Sequence, residues 1–181
     1  MSCKSSRCES FFTSEITRGK KFEGVYGTDK GVYVVNSYAF NTADLPADAV
    51  KHDGMVWFYS YKDQTITLVT YFPHQTTSET GGKQRYDGVV FDGPDNVTVT
   101  PWGTLVLAED GVGASHVLSS TPGGPTYAIA RNQLNIGTAE EPEYSEFTGP
   151  AFTADGRVLF VNIQSPGITF AVTGPWEKYL R

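Results

Sequence analysis

The sequence has few cysteines, few charges and no long apolar run. Its two cysteines, Cys3 and Cys8, lie in a Ser-rich head, and a disulfide between them would close a loop too short to organise a fold. Charged residues make up only 19%, the net charge is -6, and no basic run exceeds Lys20 and Lys21, which argues against a nucleic-acid partner. No segment approaches the ~20 apolar residues of a membrane span, and the N-terminus lacks the apolar stretch of a signal peptide. We therefore expect a soluble chain without an export signal that binds neither membranes nor nucleic acid.

Aromatic residues and turn formers are abundant instead. Aromatics reach 13%, and 19 glycines and 10 prolines separate short runs rich in Tyr, Phe, Val and Thr. Such runs, punctuated in this way, predict an all-β protein. A β-sandwich and a β-propeller both consist of short strands and turns, and an internal repeat favours the propeller.

The repeat appears when the chain is aligned on three turn glycines, Gly31, Gly103 and Gly156. In each segment, apolar residues follow two and four positions after the glycine, and a polar residue follows at six. Period-two spacing places such residues on one face of a strand. The three sets are Tyr33, Val35 and Ser37; Leu105, Leu107 and Glu109; and Val158, Phe160 and Asn162.

Further strand candidates complete each unit, and they lie at 54–61, 65–72, 115–120, 126–131 and 167–176. Four strands in roughly 40–50 residues are typical of a propeller blade. We therefore predict an irregular head at 1–21 and a partial β-propeller at 22–181, with blades at 22–73, 89–132 and 146–181. Longer polar segments at 40–53, 74–88 and 131–145 are predicted to be loops.

The predicted blades are too few to close a ring. Propellers need roughly four to eight blades, and the last unit here has no candidate for a fourth strand. The chain therefore resembles part of a larger ring. Two bare blade faces are expected, and they would pack against a second copy or against a missing N-terminal half.

Acidic residues collect at one end of the predicted hairpins. In the second unit, two acids come before the first strand and two follow the second strand, namely Asp92, Asp95, Glu109 and Asp110. A hairpin brings its open ends together, so these acids should meet in space. Glu23 has the register of Asp95, eight residues before its turn glycine, and Glu146 lies two residues off that register.

Converging carboxylates are costly unless water or a cation lies among them. They suit hard cations such as Ca²⁺, which prefer oxygen ligands. The candidate metal ligands are Glu23, Asp95, Glu109 and Glu146. The alternative for each is that it caps a turn or accepts a backbone N–H. His52, His74 and His116 have no ligand spacing and are interpreted as loop or strand residues.

Two stretches resemble the PhoX-type alkaline phosphatase family. They are DGPDNVTVTPWGTLVLAEDG, from Asp92, and EFTGPAFTADGRVLFVNIQSPGITFAVTGPW, from Glu146. The step Phe22-Glu23-Gly24 is similar to that family's glutamate–glycine step. Together the matches span 23–176 and resemble the C-terminal half of the family's catalytic region.

The resemblance implies a six-bladed propeller that hydrolyses phosphate monoesters at a cluster of Fe³⁺ and Ca²⁺ ions. It implies that the four candidate acids belong to the metal shell, with Asn96 and Asp110 as supporting partners. Proteins of this family are commonly exported through the twin-arginine route. The sequence departs from the family in lacking that signal and the segment with the iron-binding cysteine, which Cys3 and Cys8 stand too close to Glu23 to replace. An incomplete metal cage predicts weak metal binding, so the chain alone is expected to have little activity.

Two other functions fit the same residues. A calcium-dependent propeller lactonase would also hold a divalent ion with channel acids. A non-catalytic binding or scaffolding fragment would keep the blades without the chemistry.

Overall fold

A computed structural model of the chain describes residues 22–37, 54–72, 85–86, 89–91, 93–110 and 114–180. They form three antiparallel sheets, one two-residue strand pair and one short helix. Sheet 1 contains β1 (Phe22–Gly27), β2 (Gly31–Asn36), β3 (Gly54–Ser60) and β4 (Ile66–Phe72). The pair is β5 (Arg85–Tyr86) with β6 (Val89–Val90), and sheet 2 contains β7 (Pro94–Val99), β8 (Leu105–Glu109), β9 (His116–Ser120) and β10 (Thr126–Arg131). Sheet 3 contains β11 (Phe147–Phe152), β12 (Val158–Ile163) and β13 (Ile168–Thr173), and α1 (Trp176–Leu180) follows it.

The predicted all-β architecture of blade-like units is confirmed. Strands that are consecutive in sequence are neighbours in each sheet, as in a propeller blade. Two local predictions were wrong. The predicted loop at 74–88 includes β5, and the predicted strand at 167–176 ends at Thr173, because Pro175 cannot donate to a strand ladder and instead precedes α1. Among the described residues, no helix has the length and apolarity needed to span a bilayer.

Sheet 2 lies between the other two sheets, and β8 is buried along its whole length. Leu105 and Leu107 belong to an apolar cluster shared with sheet 1, which includes Val35. Val106 and Ala108 belong to a second cluster, shared with sheet 3. Alternate side chains of one strand therefore fill two separate cores, as the two-residue period of a strand requires.

The corresponding apolar positions of the three repeats do not lie on equivalent faces of their sheets. Val35 of sheet 1 and Leu107 of sheet 2 lie in the same apolar cluster, between the two sheets. Phe160, the corresponding residue of sheet 3, is instead 41% exposed. The reason is turn length. The first hairpin turn closes from Thr28 to Gly31, the second from Thr100 to Thr104, and the third from Thr153 to Val158. Each turn is one residue longer than the one before, and a one-residue slip moves a side chain to the other face of its strand.

The first strands of the three sheets, β1, β7 and β11, lie side by side. β7 contacts both β1 and β11. Their hairpin turns meet at a cavity of about 310 Å³, which is lined by residues of all three turns, such as Thr28, Pro101 and Thr153. The opposite ends of these strands therefore also lie at a common end of the molecule. We call that end the rim, and among the described residues it consists of 22–24, 36–37, 94–96, 109–110, 116, 146–149 and 162–163.

Candidate functional site at the rim

The rim is tightest where β1 meets β7. A Cβ atom added to Gly24 would lie 2.7 Å from the carbonyl oxygen of Asp95 and 2.9 Å from the backbone nitrogen of Val97. Only glycine lets two backbones approach so closely. Glu23, the neighbour of Gly24, is exposed, whereas Asp95 is 8% exposed. The structure therefore brings the backbones that carry these two predicted site residues together.

The strand register is irregular in each of these strands at the rim. Asp95 was predicted to precede its strand, but it lies inside β7, at the irregularity between Pro94 and Asn96. The register of β1 shifts between Phe22 and Val25, a range that includes Glu23. Bulges turn side chains away from the regular alternation and are frequent next to active sites. The acids share one end because they occupy the ends of their strands, and the irregularities alter the side-chain alternation at Glu23 and Asp95.

Asn96 connects Asp95 to sheet 3. Its Nδ2 donates to Asp95 Oδ2 at 2.9 Å. Its Oδ1 accepts from Thr148 Oγ1 and from the backbone nitrogen of Gly149, both at 2.7 Å. The amide thus links the Asp95 carboxylate to β11, and the supporting role at a metal site stays a prediction for Asn96.

Glu109 ends β8 and is paired with His116, the first residue of β9. Glu109 Oε2 accepts from the backbone nitrogen of His116 at 2.8 Å and lies 2.7 Å from its Nδ1. The two residues are 2% and 4% exposed, and the imidazole packs edge-on against Phe91 with ring centroids 5.5 Å apart. A buried carboxylate and a buried imidazole thus share one short contact at the rim.

Several buried polar atoms of this region have no hydrogen-bond partner within the described part of the chain. They include Asn36 Oδ1, Ser37 Oγ and His116 Nε2. Leaving such an atom unsatisfied costs about 1–3 kcal/mol, so each calls for an explanation. Asn36 of β2 lies opposite Phe22 of β1, the residue that precedes Glu23. Unsatisfied polar groups therefore occur at the same end as the acids.

Glu146 and Asp110 also lie at the rim. Glu146 comes directly before β11 and is partly buried, and its carbonyl oxygen accepts from the backbone nitrogen of Gln164 at 3.2 Å. The backbone nitrogen of Asp110 donates to the carbonyl oxygen of Gly93 at 2.9 Å. Asp92, Cys3 and Cys8 lie outside the described residues. The described acids of the prediction therefore all belong to one end of the molecule, although they reach it from different strands.

The family model for alkaline phosphatase PhoX matches residues 4–167. The chain belongs to the PhoX alkaline phosphatase family. The match begins at residue 4, within the segment predicted to be an irregular head, and no curated protein and no solved structure gives a significant match. Membership in the PhoX family supports a phosphatase-type function in general. The family is generally exported.

The metal centre implied by the PhoX resemblance is not completed by the described residues. No three His, Cys, Asp or Glu side chains among them are placed to hold one metal ion. The donor set consists of hard oxygen ligands of the kind calcium prefers, but Glu109 Oε2 already accepts two hydrogen bonds from His116. The described residues therefore supply oxygen donors of the kind that suits calcium, but they do not complete a calcium or iron site by themselves, and the four-acid shell stays a prediction.

His116 is the rim residue that sequence reasoning missed. It has no metal-ligand spacing, so it was interpreted as an ordinary strand residue. The signal that would have found it is the strand pairing: Leu107 lies opposite Leu118 and Ala108 opposite Val117, so the next pair in the register is Glu109 and His116.

Proposed function

We propose that the chain takes part in hydrolysis of phosphate monoesters, as a PhoX-type phosphatase or as the C-terminal part of one. Family membership supports the reaction class. The observation that carries the location of the site is the close approach of β1 and β7 at Gly24, because it brings the strands of Glu23 and Asp95 together at the rim. The substrate class is a small-molecule phosphate monoester.

The charge of the rim supports a requirement for cations. Its candidate ligands are Glu23, Asp95, Glu109 and Glu146, and among its described residues none is a Lys or Arg, the neighbouring cation being Arg131, which lies opposite His116 in β10. An anionic phosphate ester would be repelled by such a site unless bound cations neutralised it. We propose that Ca²⁺, and Fe³⁺ in the complete family site, fulfil this need, together with ligands from outside the described residues. When bound, such ions supply electrostatic stabilisation to the phosphoryl oxygens.

The chain's own contribution is to hold the acids in place. Asn96 fixes Asp95 from the side of sheet 3, and His116 fixes Glu109 from β9. Preorganised ligands do not have to be ordered when an ion binds, and the affinity of the site is higher for that reason. Asp110 is a further supporting candidate, next to Glu109 in the chain.

Hydrolysis of p-nitrophenyl phosphate, measured with calcium added and with calcium chelated, tests this proposal. We expect calcium-dependent turnover that falls about tenfold or more in Glu109→Gln. The matched control is Glu140→Gln, an exposed acid in the segment between β10 and β11, which should leave turnover unchanged. Calcium-dependent turnover of a lactone without turnover of the phosphate ester would instead identify a propeller lactonase. Absence of both turnover and bound metal would identify a non-catalytic fragment.

We also propose that the outer faces of sheets 1 and 3 pack against a second copy of the chain. Large apolar side chains are exposed there, including Ile66 at 67% and Phe160 at 41%, whereas the inner faces of the same sheets are covered by sheet 2. Within the chain, sheet 2 already packs face to face on sheet 1 and on sheet 3. A sheet of a second copy, packed in the same way on an outer face, would cover these residues. Sedimentation equilibrium should detect self-association that Phe160→Asp weakens, and a monomer at every concentration would contradict it.

A further inference from the structure

We propose that His116 is a positioning residue that sets the orientation of the Glu109 carboxylate at the rim. The inference rests on the proposed function, in which Glu109 acts at this end of the molecule. The two residues are joined by the two contacts to Glu109 Oε2 described above, at 2.8 and 2.7 Å. His116 is thereby assigned a role through Glu109, and no direct contact with substrate is required.

The geometry restricts Glu109 more than a single hydrogen bond would. An ionised carboxylate accepts only, so His116 Nδ1 carries the proton in this contact. The backbone N–H and the imidazole N–H converge on the same oxygen, and both residues are almost fully buried. Charge-assisted hydrogen bonds are strong in such surroundings, and two of them with different directions fix the plane of the carboxylate.

Sheet 3 provides an internal comparison. There, Phe147 of β11 pairs with Ile163, as Pro94 pairs with Glu109 in sheet 2. Ile163 in turn pairs with Ile168 of the next strand. The same corner of the blade is therefore filled by two isoleucines in sheet 3 and by the Glu109 and His116 pair in sheet 2.

The fold thus does not need a polar pair at this corner. Replacing a buried ionic pair by apolar residues is often neutral or stabilising, so its presence calls for a reason other than stability. His116 Nε2, which has no hydrogen-bond partner in the described part of the chain, adds a further cost. We attribute the pair to the placement of Glu109.

Three substitutions separate the atoms of His116. Asparagine places an amide nitrogen close to the position of Nδ1, whereas glutamine places one close to that of Nε2, and alanine has neither. If His116 acts through Nδ1, then His116→Ala and His116→Gln should lower both phosphatase kcat and Tb³⁺ affinity about tenfold or more, and His116→Asn should restore most of both. Tb³⁺ luminescence serves as a calcium probe and does not depend on turnover. Thermal unfolding of each variant is recorded alongside.

The outcomes separate this inference from the proposed function. If the proposed function fails, either the unsubstituted chain does not hydrolyse the phosphate ester or Glu109→Gln hydrolyses it equally fast. The Tb³⁺ comparison then decides the role of His116 by itself. Rescue by glutamine instead of asparagine would overturn the inference, because it would make Nε2 the acting atom. So would equal loss in both variants, or unchanged kcat and Tb³⁺ affinity in His116→Ala. If His116→Ala does not fold, the asparagine and glutamine variants still carry the comparison.

Discussion

Replacing Gly24 with alanine tests whether β1 and β7 meet as closely as described. A methyl group at this position would lie 2.7 Å from the carbonyl oxygen of Asp95, whereas ordinary contacts begin at 3.4 Å. The atoms in the way belong to the backbone of β7, so they cannot move aside as a flexible side chain would. Sheets 1 and 2 would have to separate by about 0.7 Å along this contact, and overpacking of this kind costs about 1–3 kcal/mol.

Gly27 is the matched control because it lies in the same strand and a Cβ there would meet nothing within 4 Å. Neither glycine has a positive φ, so alanine fits the backbone at both. Gly27→Ala should stabilise the chain by about 0.4–1 kcal/mol, since alanine restricts the unfolded state. Gly24→Ala should therefore be less stable than the unsubstituted protein, and Gly27→Ala more stable. The free energies of unfolding of the two variants should differ by about 1.5–4 kcal/mol.

Urea unfolding followed by tryptophan fluorescence measures this difference, and the melting temperature should follow it by about 2–4 °C per kcal/mol. The separation also moves Glu23 away from Asp95, so Gly24→Ala should weaken Tb³⁺ binding while Gly27→Ala does not. Equal stability of the two variants would refute the close approach of β1 and β7. With it would go the reason for placing Glu23 and Asp95 in one site.

Three further substitutions test other contacts. Leu107→Ala, in the fully buried strand β8, should cost about 2–5 kcal/mol of unfolding free energy in the same urea titration, and a loss below 1 kcal/mol would contradict its place in the core. Asn96→Ala removes the acceptor of Thr148 Oγ1 and of one backbone N–H, so it should cost about 1–2 kcal/mol and lower Tb³⁺ affinity. The hydroxyl of Thr153 donates to Asp155 Oδ1 and holds the pKa of that carboxyl below its ordinary value. Asp155 therefore stabilises the fold above the unfolded pKa of ~3.9 and loses this effect as pH falls through the folded pKa, and an NMR titration should find its midpoint raised in Thr153→Val.

The strands themselves could be predicted because their signals are local. β4 and β10 contain β-branched and aromatic residues and lie between turn formers, and the predicted ranges 65–72 and 126–131 agree with Ile66–Phe72 and Thr126–Arg131. The C-terminal helix has no comparable signal. Its five residues are too few for a helical period, and α1 is held by tertiary contacts, including the buried side chain of Leu180.

The register between repeats could not be predicted from the turn glycines. A glycine marks where a turn occurs, and the number of residues in the turn is set by its hydrogen bonds. The three turns grow by one residue each, so alignment on Gly31, Gly103 and Gly156 places Val35 and Leu107 on equivalent faces although they point at each other. Gly31 does not have a positive φ, so its backbone does not require glycine. A larger side chain is excluded there because a Cβ atom would collide with the backbone of Tyr59 and the ring of Phe58.

The candidate site shows the same limit. The first-strand positions of Glu23 and Asp95 follow from counting back from the turn, so their common end was predictable. His116 was not, because its role depends on its contact with Glu109 of the neighbouring strand and on packing against Phe91, neither of which is a property of its own neighbourhood in the sequence. Spacing along the sequence can reveal ligands that lie close together in the chain. Residues that meet across a sheet can be recognised only when the register of its strands is known.

The burial of β8 on both faces has a consequence for the way the molecule opens. Sheets 1 and 3 each have one face that sheet 2 covers, whereas sheet 2 is covered on both faces. Slow amide exchange should therefore concentrate in Leu105–Glu109, and the outer strands β4 and β13 should exchange first. Because Glu109 is the last residue of that most protected strand, the rim keeps one acid anchored in the part of the protein that opens last.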